Sequence, residues 1–228
     1  MEINKLKSTQ IIAHRGAWKD FGLPQNSLAA FLKAQELPLG GIEVDLQLTA
    51  DRQLVVFHDD HINELAVNRI NYSELVEYLL SNGEKIPVLP EVLKCWNRKH
   101  TLWLELKPSD LTLQQKKIFV DEVLKLLGDE TENVFFISFD LVLLKMIKLQ
   151  STVPCLYLGD EFSVEFLKSE GIDGLDFQCD TYSDDLIGKL KRNNMLSNTW
   201  TMNSKELGKV LIEAGIDFIT TDEVLLFV

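Results

Sequence analysis

Glu43 and Asp45 stand two residues apart in the run Gly41-Ile42-Glu43-Val44-Asp45-Leu46-Gln47-Leu48-Thr49. Side chains two apart on an extended strand project from the same face, so both carboxylates point one way. On an interior face they repel unless something positive lies between them, and a divalent cation is the simplest such partner. The run Leu54-Val55-Val56-Phe57-His58 follows across Ala50-Asp51-Arg52-Gln53, a polar break suited to a hairpin turn. With Asp51 and Arg52 at the tip, antiparallel pairing sets His58 opposite Asp45. A metal-binding carboxylate and a proton carrier would then share one edge.

The elements that must position these residues follow a repeated design. Ile11-Ile12-Ala13-His14-Arg15-Gly16 runs apolar and then polar, as does Thr101-Leu102-Trp103-Leu104-Glu105-Leu106-Lys107. That is the pattern of a buried parallel strand whose carboxyl end reaches a site. Asn26 or Ser27 can cap a helix through Leu37, with Gly40-Gly41 stopping it. Residues 59–71 read as a short irregular loop, 72–80 as a helix, and Pro87 and Pro90 as brackets of an extended step before a helix over 91–96. Helices over 113–127, 141–149, 164–169, 184–192 and 204–214 then alternate with strands over 134–138, 153–158, 174–177, 196–201 and 218–221. Setting the hairpin return aside, eight strands alternate mostly with helices. In one chain of 228 residues this argues for a closed (β/α)8 TIM barrel, a single domain over 1–228. An open doubly wound sheet is the runner-up, but it gathers its ligands at one switch point. Here polar residues end the first, second, third and seventh strands, as a barrel rim requires.

The formal net charge of -12 disfavours nucleic acid or an anionic membrane as a partner. An anionic substrate would need local compensation from a metal, Lys or Arg. No run of apolar residues is long enough to span a membrane, and the N-terminal segment lacks the apolar core of a secretory signal. Cys95, Cys155 and Cys179 form no metal-spaced pair and read as packing residues. The cytoplasm is the expected compartment.

Collected at the carboxyl ends of the expected strands are His14, Arg15, Glu43, Asp45, His58, Glu105, Lys107, Trp200 and Asp222. Three carboxylates without thiolates make a hard, oxygen-rich site suited to Mg²⁺ or Ca²⁺. Two histidines beside such a site suit acid–base work, one taking a proton from a nucleophile and the other giving one to a leaving group. Arg15, Lys107 and a metal are the positive charges a developing phosphorane needs. Together they point to cleavage of a phosphate ester. A lone histidine is more often structural than catalytic, so His61 and His100 are expected to be a solvated loop residue and a residue of the opposite, stability face.

The ordered set Ala13-His14-Arg15-Gly16-Ala17, Pro24-Gln25-Asn26-Ser27-Leu28-Ala29-Ala30-Phe31, Ile42-Glu43-Val44-Asp45, Val56-Phe57-His58-Asp59, Glu105-Leu106-Lys107 and Trp200-Thr201-Met202-Asn203 resembles the glycerophosphodiester phosphodiesterase family. The likeness runs from about Ile11 to Asp222. It implies a TIM-barrel enzyme that uses one divalent cation, Mg²⁺ or Ca²⁺ with Mn²⁺ also possible, to cut glycerophosphodiesters into glycerol 3-phosphate and an alcohol. By position it implies metal ligands at Glu43, Asp45 and Glu105, a catalytic pair at His14 and His58, phosphate contacts from Arg15 and Lys107, and Trp200 at the substrate pocket. Attack by the neighbouring glycerol hydroxyl and direct attack by water both remain open. Two departures stand out: Gln25 replaces the family's usual Glu, and residues 61–69 replace its usual Arg-Thr-Thr-like run and Gly-rich cover. The alternatives are a lysophospholipase D-like activity on lysophospholipids, favoured by Trp18 and Phe21 beside the mouth, and a barrel that binds phosphodiesters without cutting them.

Overall fold

The computed structural model describes residues 8–228. The chain opens with strand β1 (Gln10–Ala13), helix α1 (Leu28–Ala34) and strand β2 (Gly41–Leu48). β2 folds back on β3 (Leu54–Val56), and the short strands β4 (His61–Ile62) and β5 (Leu65–Ala66) and helices α2 (Tyr72–Leu75) and α3 (Leu89–Cys95) lead to β6 (Thr101–Leu106). Regular alternation follows: α4 (Leu113–Leu127), β7 (Val134–Ser138), α5 (Leu141–Gln150), β8 (Cys155–Leu158), α6 (Val164–Ser169), β9 (Gly174–Gln178), α7 (Asp184–Arg192), β10 (Leu196–Trp200), α8 (Lys205–Ala214) and β11 (Phe218–Thr221). Five of the helices begin where a side chain accepts the first free N–H groups. Ser27, Thr112, Asp140, Ser163 and Ser204 all do so.

The parallel strands run in the order β10-β9-β8-β7-β6-β2-β1-β11, with β3 antiparallel on β2. The ends of that order meet: Met202 N–H donates to the Thr220 carbonyl at 2.9 Å and Asn198 Nδ2 to Thr220 Oγ1 at 2.9 Å. The sheet is therefore a closed eight-stranded barrel, and the open doubly wound alternative falls.

Strand alternation divides the apolar residues into two cores. Ile42, Val44 and Leu46 of β2 and Leu102, Leu104 and Leu106 of β6 face outward into the layer beneath the helices. Trp103 has the opposite parity and fills the barrel interior with Ile12, Phe135, Leu156, Leu196 and Phe218. Its ring stacks on Phe135 at 4.4 Å between centroids, and Phe218 meets it edge-on at 4.8 Å. Glu43, Asp45 and Glu105 share the inward parity: Glu43 pairs with Trp103 itself, and Asp45 and Glu105 pair one inward position nearer the carboxyl end. The aromatic plug is the floor on which they stand. Gly41 permits this closure, since a Cβ there would lie 2.1 Å from Thr101 Oγ1.

Three details differ from the sequence expectations. The β2–β3 register pairs Leu46 with Val56, so Phe57, not His58, faces Asp45, and Phe57 N–H donates to the Asp45 carbonyl at 3.1 Å. The slip arises because the turn is centred on Asp51, with Arg52 at φ 65 and Thr49 closing on Gln53. Residues 59–71 are not irregular but carry β4 and β5, and the helix expected over 72–80 stops at Leu75. The segment has a small core of its own, made by Val55, Ile62, Val67, Ile70, Leu75 and Ile86. Finally, Pro90 lies in the first turn of α3, where its missing N–H costs nothing. No helix among the described residues is long and apolar enough to cross a membrane.

Replacing Trp103 with Ala removes the centre of the plug and should cost about 3–5 kcal/mol. Urea unfolding would show it, and a loss below 1 kcal/mol would mean that the interior collapses around the gap.

Candidate active site

The β1–α1 connection brings the first group of residues to the mouth. Gly16 makes the turn at φ 82, and a Cβ there would lie 2.7 Å from the Ala30 backbone, so the loop packs directly onto α1. That packing turns the Arg15 N–H onto Glu43 Oε2 at 2.8 Å. Arg15 Nε lies 3.3 Å from Asp45 Oδ2, and its Nη1 donates to Gln25 Oε1 at 2.6 Å. Asn26, the residue before the α1 cap, donates from Nδ2 to Asp45 Oδ2 at 2.7 Å.

Glu43, Asp45 and Glu105 are all buried, and each offers an oxygen within 4.8 Å of the others. The register accounts for this, because Asp45 is the parallel partner of Glu105 on β6. Lys107 follows at once, with Nζ 3.1 Å from Glu105 Oε1 and 3.7 Å from Asp45 Oδ1. Burial, reinforced by Asp45, pushes the Glu105 carboxyl up to about 7. Burial also raises Glu43 well above the carboxylate range, with Asp45 and Glu105 adding to it. At Asp45 burial works in the same direction, but Arg15 and Lys107 outweigh it and hold the group below its usual value. The buried Glu43 Oε1 has no hydrogen-bond partner. Three converging carboxylates, each with a buried oxygen that has no hydrogen-bond partner, and two cations too few to balance them all fit a divalent cation.

Both histidines are held at Nδ1. His14 Nδ1 lies 2.7 Å from Asp222 Oδ1, and His58 Nδ1 lies 2.7 Å from Asp59 Oδ1. A carboxylate at Nδ1 keeps a proton there and leaves Nε2 as the working nitrogen of the neutral ring. The two differ in depth, the side chain of His14 being 12% exposed and that of His58 33%. Asp222 also accepts from Trp18 Nε1 at 3.2 Å and Asn203 Nδ2 at 3.0 Å. Burial would raise Asp222, but the hydrogen bond and charge of His14 prevail and hold it at about 2.

A family model described as the glycerophosphoryl diester phosphodiesterase family matches residues 14–226. The chain belongs to that family. It is 29% identical to a glycerophosphodiester phosphodiesterase of Caldanaerobacter subterraneus subsp. tengcongensis, over 94% of either chain. Its fold superposes on the crystal structure of a glycerophosphodiester phosphodiesterase from Parabacteroides distasonis with a TM-score of 0.89 and 34% identity, covering 95% of this chain and 93% of the other. It also superposes, with a TM-score of 0.82 and 23% identity, on an Oleispira antarctica phosphodiesterase in complex with sn-glycerol-3-phosphate, covering 94% and 93% of the two chains.

Within this family framework, Trp200 ends β10 half-buried, edge-on to Phe139 at 5.4 Å and with Nε1 3.4 Å from the Asp176 carbonyl. His100 is buried at the entrance to β6, with Nε2 3.1 Å from the Leu37 carbonyl, on the face away from the mouth. Sequence reasoning missed Asn26 as a ligand of Asp45, and it missed Asp176. That carboxylate is buried beside Asn198, which donates to it at 2.8 Å, and burial pushes it well above the carboxylate range. Its even spacing with Gly174 and Gln178 is the one signal that could have placed it inside.

The depressed Asp222 carboxyl stabilises the fold fully above about pH 3.8, and that contribution is lost as pH falls through about 2. The stability gap between the protein and Asp222→Asn should therefore shrink as pH falls from about 4 toward 2. Urea unfolding at each pH measures it, and a gap that does not change with pH would remove the ion pair from the account.

Proposed function

We propose that the protein is a metal-dependent hydrolase of glycerophosphodiesters, releasing glycerol 3-phosphate and an alcohol. The observation that carries this reading is a cluster of three buried carboxylates, with His14 near enough to act on Asp45 by its charge and His58 one residue past the position that faces Asp45, each histidine held at Nδ1. The Oleispira relative with sn-glycerol-3-phosphate bound supports the same product here.

Glu43, Asp45 and Glu105 would hold one divalent cation, with Mg²⁺ and Ca²⁺ matching the all-oxygen donor set. Such an ion supplies charge neutralisation to the phosphoryl oxygens. Arg15 and Lys107 border the carboxylates and face the same mouth, where they orient the phosphate and share its charge. The Gln25 amide keeps Arg15 in place without competing for its charge.

His14 is the base. The firmly ionised Asp222 behind it stabilises the imidazolium that forms when Nε2 takes the proton of the attacking hydroxyl, whether of water or of the glycerol. His58 is the acid. It is the more exposed of the two, on the side from which an alcohol can leave, and gives its Nε2 proton to the departing oxygen as the P–O bond breaks. Trp200 lines the substrate pocket at the far rim.

Release of glycerol 3-phosphate from glycerophosphocholine and related diesters tests the reading. Turnover should require Mg²⁺, Ca²⁺ or Mn²⁺, stop with chelator and fall roughly 10²–10⁴-fold in His14→Ala. Diester binding without turnover in any of these metals would instead establish a binding barrel. The division of labour has its own check by calorimetry: Asp45→Asn should weaken metal binding at least about tenfold, whereas His58→Ala should not. Equal metal affinities in the two variants would refute it.

A further inference from the structure

Two clefts are lined by segments that follow the carboxyl ends of β1, β3 and β6, and they differ in chemistry. The larger, about 670 Å³, lies between residues 60–69 and the start of α4. Its walls carry Asp60, Arg69, Asp110, Lys116 and Asp140, and neither His14 nor His58 lines it. The smaller, about 380 Å³, is walled by Trp18, Leu23, Pro24, Phe57 and Leu80, and His58 lines it with them. No Asp, Glu, Lys or Arg lines it, and its remaining members are Gln25, Asn26 and Ser81.

We propose that this apolar groove is the subsite for the leaving alcohol, and that the preferred substrates are diesters whose alcohol carries an uncharged hydrocarbon group. The inference rests on the phosphodiesterase reading above and names the substrate class of the same site. Its geometry has three parts. His58 is the outer proton donor and lines the groove, so the oxygen it protonates lies against the groove. Trp18 is fixed by its bond to Asp222, so its indole forms a rigid wall from the His14 side. Leu80 belongs to the small core beneath residues 54–88, so the opposite wall is built by the same segment that carries His58. A charged headgroup entering here would give up water and find no counter-ion, whereas a hydrocarbon would exchange water for Trp, Leu, Pro and Phe. The charged cleft offers the opposite environment, and the histidine that lines it is the exposed His61, not His14 or His58.

The test uses glyceryl n-alkylphosphonates, in which a P–C bond replaces the scissile ester, so that binding is read without turnover. Calorimetry in Mg²⁺ on the intact protein should show Kd falling about threefold per methylene from ethyl to hexyl. The slope should flatten in both Leu80→Ser and Leu23→Ser, two walls from separate segments that guard against a folding defect in either. A second series carries the lengthening chain as an acyl group on the glycerol, with ethyl kept on phosphorus, and should show no gain. A flat alkyl series, or a slope retained in both variants, would overturn the groove assignment. A gain in the acyl series alone would move the occupant to a lysophospholipid chain and overturn the leaving-alcohol assignment. Glycerol 3-phosphate release from the matching ethyl to hexyl diesters reads the underlying function separately. A binding slope without any release would count against hydrolysis and leave the groove standing, whereas release with a flat slope would do the reverse.

Discussion

Three carboxylates buried at one point inside a barrel are the constraint on which the rest of the site depends. At the separations seen here, each like-charge pair repels by about 4 kcal/mol at the effective dielectric of a partly buried site. Arg15 and Lys107 supply two positive charges against three negative ones, and the deficit shows as Glu43 and Glu105 raised by burial and mutual repulsion while the two cations hold Asp45 low. The neighbourhood is arranged around that deficit. Asn26 gives Asp45 a neutral donor, Gly16 turns a backbone N–H onto Glu43, and Asp176 sits deeper in the barrel with only an amide beside it. An added cation would complete a charge balance that the polypeptide leaves open.

The aromatic plug makes this tension tolerable. Trp103, Phe135 and Phe218 close the barrel below the carboxylates, so the acidic groups face the mouth and not a second solvent front. Trp103 and Glu105 are two residues apart on one strand, as are Glu43 and Asp45. The same pleat that builds the floor thus aims the site.

Much of the barrel is legible in the sequence because parallel strands buried on both faces read as apolar runs, and because the helices between them carry Ser, Thr or Asp at their starts. Leu113–Leu127 and Val134–Ser138 are cases where both signals agree. The convergence of Glu43, Asp45 and Glu105 is legible from parity alone, given a barrel. The position of His58 is not, because a hairpin's register depends on which residue takes the left-handed conformation, and Arg52 does so here without a glycine to announce it. Residues 59–71 read as loop, and 72–80 as a longer helix than the one that forms, because their apolar residues are too sparse for periodicity. They gather into a core only once the segment folds against itself. Asn26 and Asp176 escape notice because a lone polar residue has no pattern, and its role comes from partners about 20 residues distant.

The two histidines belong to different bodies. His14 follows β1 and is braced by Asp222 after β11, so it is fixed by the closure of the barrel itself. His58 rides on an excursion between β2 and β6 that has its own apolar centre and touches the barrel along one edge. The machinery is thereby split into a conserving half and a negotiable half. Changes within the excursion can reshape the groove and the surroundings of His58 without disturbing the buried carboxylates or the strands that carry them. The fold thus lets one barrel vary its outer histidine's neighbourhood while the carboxylate cluster stays as it is.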